Sequence, residues 1–365
     1  MAWREIDAKF APVAGGGGFY SKMEGMPTRR TVHQAAHLLE KQLDRRRRYG
    51  GTARAVISPY RGFGRGHEML LRGRVLLERS VTRAKESEPL WRNMVNTWRR
   101  FSSSEVVGAK VRGTYRDAVV DTTTDDEGFF QLLLQPKELD TTKLWHEVQL
   151  ALPDGEATAV AHAMIPPPDV DFGIISDIDD TVVVTNATSL VGMARSVIRN
   201  AASRLPFEGV ADLYSALHRD RNPIFYVSSS PWNMYELLHD FMDINRIPHG
   251  PMLLQDWGLT EKTLLMASHE EHKLAQINTL VEFYPELRFV LIGDSGQHDP
   301  EIYLRVIQAH PQRILAAFIR DVTPDLRDHG VASILEQSNA AGVEMFYVRD
   351  SAEAMVHARK KGLVS

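Results

Sequence analysis

Residues 174–188, IISDIDDTVVVTNAT, place three carboxylates, Asp177, Asp179 and Asp180, at the end of a short apolar run. Alternation turns Asp177 and Asp179 to one side only while the chain stays extended. Carboxylates that close repel one another strongly in a dry site, and a divalent cation removes the conflict. Oxygen donors in a chain without cysteine favour Mg2+ over softer ions. Three further stretches carry matching chemistry. VSSSPWNMY (227–235) ends an apolar run in hydroxyls. Ser230 suits an N-cap and Pro231 the first helical position, so a helix start with free N–H groups for an anion is expected there. Ser228 or Ser229 could add a hydroxyl bond to phosphate. HEEHKLAQI (269–277) predicts an amphipathic helix opening with Lys273 as a point charge for phosphate. VLIGDSGQHDPEIY (290–303) predicts a strand, with Gly293 permitting a close turn and Asp294 and Asp299 in the loop beyond. Singly, each has a bland reading: a solvated acid cluster, a surface lysine, a helix cap. Acid, hydroxyl, lysine and acid in this order, three at strand ends and one at a helix start, read together as a phosphoryl-transfer site.

The elements that must hold these groups are legible in the rhythm of the chain. After MIPPPDVDFG (164–173), apolar strand candidates (GIISDID, PIFYVSS, RFVLIGDSG, RILAAFIRD, VEMFYVRD) alternate with helix candidates, including SLVGMARSVIRNAASRL, PWNMYELLHDFMDI and EEHKLAQINTLVEFY. Such spacing predicts an α/β fold with a mostly parallel sheet covered on both faces. In such folds chemistry collects at the C-terminal ends of strands. Residues 50–165 instead read as short alternating strands, with TTTDDEGFF (122–130) as strand, acidic turn at Asp125 to Gly128, then strand. A β-sandwich-like unit is expected, interrupted by a helix at LWRNMVNTWRRF (90–101), with Trp91, Trp98 and Trp145 as packing residues. The expected organisation is a tail with a basic helix over 1–49, a β-rich unit over 50–168 and the α/β unit over 169–365. In the tail, GGGG (15–18) reads as flexible, and Arg45 to Arg48 end a helix predicted over 31–48.

The chain has 365 residues, 43% apolar and 25% charged, with no cysteine. Disulfides and thiolate chemistry are excluded. The N-terminal residues lack the apolar core of a signal peptide, and no run reaches the ~20 apolar residues of a membrane span, so a cytoplasmic protein is expected. The net charge of -4 hides an asymmetry: residues 1–120 carry 24 Lys/Arg against 11 Asp/Glu, a formal +13, and the remainder carries -17. The basic part could meet an anionic membrane surface or simply balance the acidic part.

DIDDT (177–181), Val227–Ser228, Lys273 and GDSGQHD (293–299) resemble the four motifs of the haloacid-dehalogenase-like hydrolases. The fuller stretches YVSSSPWNMY, EHKLAQI and LIGDSGQHDPEIY, with YRGFGR (60–65), GRVLLE (73–78) and TDDEGFF (124–130), resemble the App1-type phosphatidate phosphatase family. The resemblance implies a Rossmann-like parallel sheet and a Mg2+-dependent phosphatase acting through an aspartyl-phosphate. It implies Asp177 as nucleophile, Asp179 as general acid and then base, and Ser228 and Lys273 on the phosphoryl oxygens, Lys273 also restraining the nucleophile. Mg2+ would be held by Asp177, Asp294 and the backbone carbonyl of Asp179. Asp299 would be a further ligand or hold a water, and Thr181 would steady the loop. Ser229 and Gly293 support the site, and Asp180 is expected to support it from outside. The gaps over 182–223 and 234–272 are too short for a full cap domain, so the site is expected to be nearly capless and open to a bulky or membrane-held substrate.

Phosphatidate is the implied substrate. Two other readings stand beside it: a phosphatase of soluble or nucleic-acid phosphate esters, and a non-enzymatic binding scaffold. No recognisable motif for sequence-specific nucleic-acid binding is present, and no lipidation signal.

Overall fold

The computed structural model describes residues 54–78, 105–155, 157–179, 181–182, 207–255, 269–296, 298–322 and 328–365. The expected helices over 31–48, 90–101 and 189–205, the 15–18 glycines, Trp91, Trp98 and Asp180 lie outside the described residues.

Eight short strands come first: β1 (Arg54–Pro59), β2 (Gly62–Arg65), β3 (Glu68–Glu78), β4 (Lys110–Tyr115), β5 (Ala118–Thr123), β6 (Phe129–Leu134), β7 (Trp145–Ala151) and β8 (Thr158–Met164). They form one hydrogen-bonded sheet of mixed pairing, in place of two separate layers. The reason is β3, whose eleven residues pair with β1, β2 and β6 in turn. β2 then runs parallel to β8 and joins the β7–β4–β5 arm. Alternate residues such as Leu71, Val111, Leu132, Leu134, Val148, Leu150 and Ala161 meet in one core. Strands β4 and β5 form a hairpin whose turn holds Arg116 at φ 50. No glycine or proline marked that turn in the sequence. The acidic turn does lie where expected: the Asp125 carboxylate accepts from the N–H groups of Glu127 and Phe129, and Gly128 takes φ 80.

The second sheet is wholly parallel, in the order β11-β10-β9-β12-β13-β14. Its strands are β9 (Gly173–Ser176), β10 (Ile224–Pro231), β11 (Met252–Gln255), β12 (Phe289–Asp294), β13 (Ile314–Arg320) and β14 (Met345–Val348). Among the described residues six α-helices flank it: α1 (Val210–His218), α2 (Tyr235–Ile244), α3 (His269–Phe283), α4 (Asp299–Ala309), α5 (Asp328–Ala340) and α6 (Ser351–Lys360). The strands read as unbroken apolar runs because both faces are buried. Ile174, Ile224, Tyr226, Val290, Ile292 and Phe318 pack beneath α1, α2 and α6. Their neighbours Ile175, Phe225, Val227, Leu291 and Ile319 pack against α3, α4 and α5. β11, α1 and α5 were not anticipated from sequence. The first is only four residues long and carries no pattern of its own.

β9 lies centrally, with β10 and β11 to one side and β12 to β14 on the other. The chain thus reverses its direction of winding at β9, which opens a crevice at the strands' C-terminal ends. The two sheets pack together through YRGFGR. Tyr60 stacks on Trp232 at 5.2 Å, and Phe63 sets its edge against Phe225 at 6.2 Å and Phe283 at 5.6 Å. The Tyr284 hydroxyl donates to the Gly64 carbonyl at 3.0 Å, and the Arg65 guanidinium to that of Phe283 at 2.6 Å. Among the described residues no helix is long and apolar enough to cross a membrane.

Candidate active site

Asp177 follows β9 directly, its N–H donating to the Ile292 carbonyl of β12 at 2.9 Å. Asp294 ends β12, and Asp299 begins α4. One oxygen from each of the three lies within 4.8 Å of the others, and all three side chains are buried. Lys273, in the second turn of α3 and 3% exposed, reaches into them. Its ammonium donates to Oδ1 of Asp177 at 2.7 Å and to Oδ1 of Asp299. The sequence-predicted lysine is therefore a buried cation between two carboxylates rather than an exposed one.

Asp299 uses both oxygens, the second accepting from the Asp294 N–H at 3.2 Å. It ties Lys273 to the end of β12. Gly293 is needed for this: a β-carbon there would lie 2.3 Å from the Asp299 carboxylate. The glycine sits within β12 and serves a close approach, not the turn expected of it. Asp294 accepts from the Gly296 N–H at 2.5 Å and from the Thr181 hydroxyl at 3.4 Å, which joins the loop after β9 to the loop after β12.

Asp179 points the other way, toward β10. Its Oδ2 accepts from the hydroxyls of Ser228 at 2.7 Å and Ser230 at 3.0 Å. The Ser228 oxygen also accepts from the Ser230 N–H at 2.9 Å. This corrects the reading of Ser230 as a helix cap. β10 continues to Pro231, a 3-10 turn spans Trp232–Met234, and α2 starts at Tyr235 with no side-chain cap. Asp179 draws both hydroxyls inward, and Pro231 remains extended at φ -72 and ψ 154. The helix N–H groups expected beside Ser228 thus begin several residues later. Ser230 was missed as a partner of Asp179. Reading VSSS as strand would have found it, since residues two apart share a face. Ser229, between them, is half-buried.

The electrostatics are unusual for an interior. Burial pushes the Asp177 carboxyl well above its ordinary range; Lys273 opposes the shift, and Asp299, Asp294 and Asp179 add to it. Burial likewise raises Asp299 against the pull of Lys273. Burial alone would lower Lys273, but Asp177 and Asp299 outweigh it and leave the ammonium raised. Among the described residues, the buried carboxylates of Asp177, Asp294 and Asp299 gather about the buried ammonium of Lys273. Oδ2 of Asp177 is buried and accepts no hydrogen bond among the described residues. An oxygen-rich cluster with excess negative charge and an unbonded buried oxygen fits a hard divalent cation.

Comparison with known proteins agrees with this geometry. Residues 172–321 match the family model described as phosphatidate phosphatase APP1, catalytic domain. Phosphatidate phosphatase APP1 of Saccharomyces cerevisiae is 34% identical over 162 residues, covering 43% of this chain and 27% of the yeast protein. An uncharacterized protein of Schizosaccharomyces pombe is 30% identical over 159 residues, covering 42% of this chain and 26% of that one. The chain thus matches about a quarter of the length of these curated relatives. Among solved structures, a carbohydrate acetylesterase from Xanthomonas citri superposes with a TM-score of 0.26 at 8% identity, covering 78% of this chain and 66% of that one, too distant to bear on fold or function. The matched stretch holds Asp177, Asp179, Ser228, Lys273, Asp294 and Asp299 together. Through this stretch the chain is similar to the App1-type family.

Proposed function

We propose that the protein is a Mg2+-dependent phosphate monoester hydrolase that acts on phosphatidate, releasing phosphate and leaving diacylglycerol. The observation that carries this reading is Asp177: one carboxylate oxygen is held by Lys273 and the other is buried and unbonded, beside two further acids at the end of a parallel sheet. Bound by Asp177, Asp294 and the backbone carbonyl of Asp179, Mg2+ would offset the repulsion between an attacking carboxylate and an anionic phosphoryl group.

Lys273 fixes the Asp177 carboxylate so that one oxygen faces the crevice. That oxygen attacks phosphorus in line, the ester P–O bond breaks, and an aspartyl-phosphate forms. Asp179, aimed by Ser228 and Ser230, gives its proton to the departing alkoxide oxygen. It then takes a proton from the water that attacks the aspartyl-phosphate, restoring the Asp177 carboxylate and releasing phosphate. Lys273 and loop N–H groups hold the equatorial oxygens as charge shifts. Ser228 orients Asp179 in the free enzyme, and its expected role on phosphate requires the hydroxyl to turn. The family description and the name of the yeast relative support phosphatidate as substrate. The excess of basic residues over 1–120 is in keeping with contact at an anionic membrane.

The test is phosphate release by the purified chain from phosphatidate in mixed micelles and from soluble sugar, nucleotide and nucleic-acid phosphate esters. Each is run with Mg2+ or EDTA and with Asp177→Asn. The expected result is Mg2+-dependent release, greatest from phosphatidate and at least ~10³-fold slower in the variant, because the covalent step is lost. Equal turnover by Asp177→Asn removes the mechanism. Faster turnover of soluble esters moves the substrate assignment to that class.

A further inference from the structure

A second polar cluster lies apart from the four acids, where α2 ends and the chain turns toward β11. His239 and Asp243 are four residues apart on α2 and so share one face. His249, in the loop before β11, folds back over them. The two imidazoles stack with centroids 4.8 Å apart. His249 Nε2 lies 2.5 Å from Oδ1 of Asp243, and His239 Nδ1 lies 3.4 Å from Oδ2. One ring nitrogen from each histidine and one Asp243 oxygen fall within 4.8 Å of one another.

From this juxtaposition we infer that His239, Asp243 and His249 form a second metal site, for a borderline divalent ion of the zinc class, distinct from the Mg2+ cluster. Two imidazoles with one carboxylate are donors that zinc accepts and Mg2+ does not seek. Three protein ligands leave a further position, and the side chains, 24%, 25% and 53% exposed for His249, His239 and Asp243, leave water a path to it. The second nitrogen of His249 is buried without a hydrogen-bond partner among the described residues, so the polypeptide alone does not complete this cluster.

Arg61 is the group that opposes a cation. Its backbone N–H donates to the Tyr235 hydroxyl at 2.7 Å, and its guanidinium lies over the Trp145 ring at 5.1 Å. The Asp243 carboxylate offsets that charge. The cluster therefore sits where the YRGFGR segment of the first sheet meets α2 of the second. An ion there fastens the loop at 245–250 to the end of α2, beside the contact between the sheets. Its role is structural.

The experiment uses the full chain carrying Asp294→Asn, which weakens the Mg2+ cluster without touching α2. The protein is stripped of metal and dialysed against Zn2+, and bound zinc is counted by elemental analysis. Co2+ is then added as a visible probe. The expected result is one zinc per chain and a Co2+ absorption band, with affinity falling at least ~10²-fold in His249→Ala and in Asp243→Asn. Neither variant removes an apolar core residue, so far-UV circular dichroism should be unchanged. No zinc retained by the parent, or undiminished zinc in either folded variant, overturns the site. The readout is metal content, so it stands apart from whether the acids of the first cluster hydrolyse phosphate.

Discussion

A β-carbon on Gly293 would lie 2.3 Å from the Asp299 carboxylate, so the strand can hold its acid neighbour only by having no side chain there. Asp299 in turn anchors Lys273, and Lys273 holds Asp177. Gly293→Ala therefore acts on Asp177 through two intermediaries. The expected outcome is at least a ~10-fold loss in kcat and about 1–3 kcal/mol lost in stability, the usual cost of overpacking a buried site. Steady-state kinetics and a denaturant melt measure both, and an unchanged kcat would separate Asp299 from the chemistry.

Lys273→Met removes the ammonium that donates to Asp177 and Asp299. Breaking a buried pair from one side leaves uncompensated charge, so a loss of about 3–5 kcal/mol is expected. Added Mg2+ should restore part of it, since the ion supplies positive charge to the same oxygens. Thermal melts with and without Mg2+ check this. A variant as stable as the parent in EDTA contradicts the account of the cluster.

Asp179→Asn keeps the shape of a side chain that accepts from Ser228 and Ser230 but cannot shuttle a proton. Turnover of alkyl phosphates should fall by ~10²-fold or more, and activated aryl phosphates, whose leaving groups need little protonation, should lose far less. Equal losses on both would assign the proton to another group.

Arg74 makes contacts across the sheets. Its guanidinium donates to the Glu127 carbonyl, the Glu105 carboxylate and Asn233, the last at 3.0 Å, and lies 4.4 Å over the Phe129 ring. Asn233 sits in the turn directly after the serine-bearing strand. Arg74→Met should cost about 2 kcal/mol through its charged hydrogen bonds and lower kcat by releasing that turn, while Mg2+ affinity stays unchanged. Calorimetric Mg2+ titration distinguishes this from collapse of the acid cluster.

Acid should destabilise the fold through two buried histidines, His146 and His218. His146 is bonded at both nitrogens, to the Tyr115 hydroxyl at 2.9 Å and the Lys143 carbonyl at 3.1 Å. His218 donates from Nδ1–H to the Asn222 carbonyl at 2.6 Å. Burial lowers both from the ordinary 6.5. The unfolded chain then binds more protons than the native one just below 6.5, so stability declines as pH falls through that value. Urea midpoints from pH 7 to pH 5 should decrease, and His146→Gln should flatten the decline if the native contacts are kept.

Much of the second sheet could be read from the chain because strands buried on both faces are uninterrupted apolar runs, and β9, β10 and β12 each end in polar groups. The approach of Asp177, Asp294, Asp299 and Lys273 followed from their positions relative to those runs. The start of α2 was misplaced because local capping rules assign Ser230 to the helix, whereas a carboxylate some fifty residues earlier in sequence competes for its hydroxyl. The use of YRGFGR was hidden for a similar reason. Tyr60 meets Trp232, and no periodicity reports a contact so distant in sequence. The His239, Asp243 and His249 cluster was also missed, since His249 joins the other two only through the path of a loop.

The first sheet's ring-lined face has a consequence for how this protein can be divided. The stretch recognisable in distant relatives stops at residue 321 and starts at residue 172. β14 lies beyond it as the outer strand on β13, and Tyr60, Phe63 and Leu70 lie before it, sealed against the second sheet's two cores. A fragment trimmed to the recognisable borders would bare a strand edge and an aromatic surface to water.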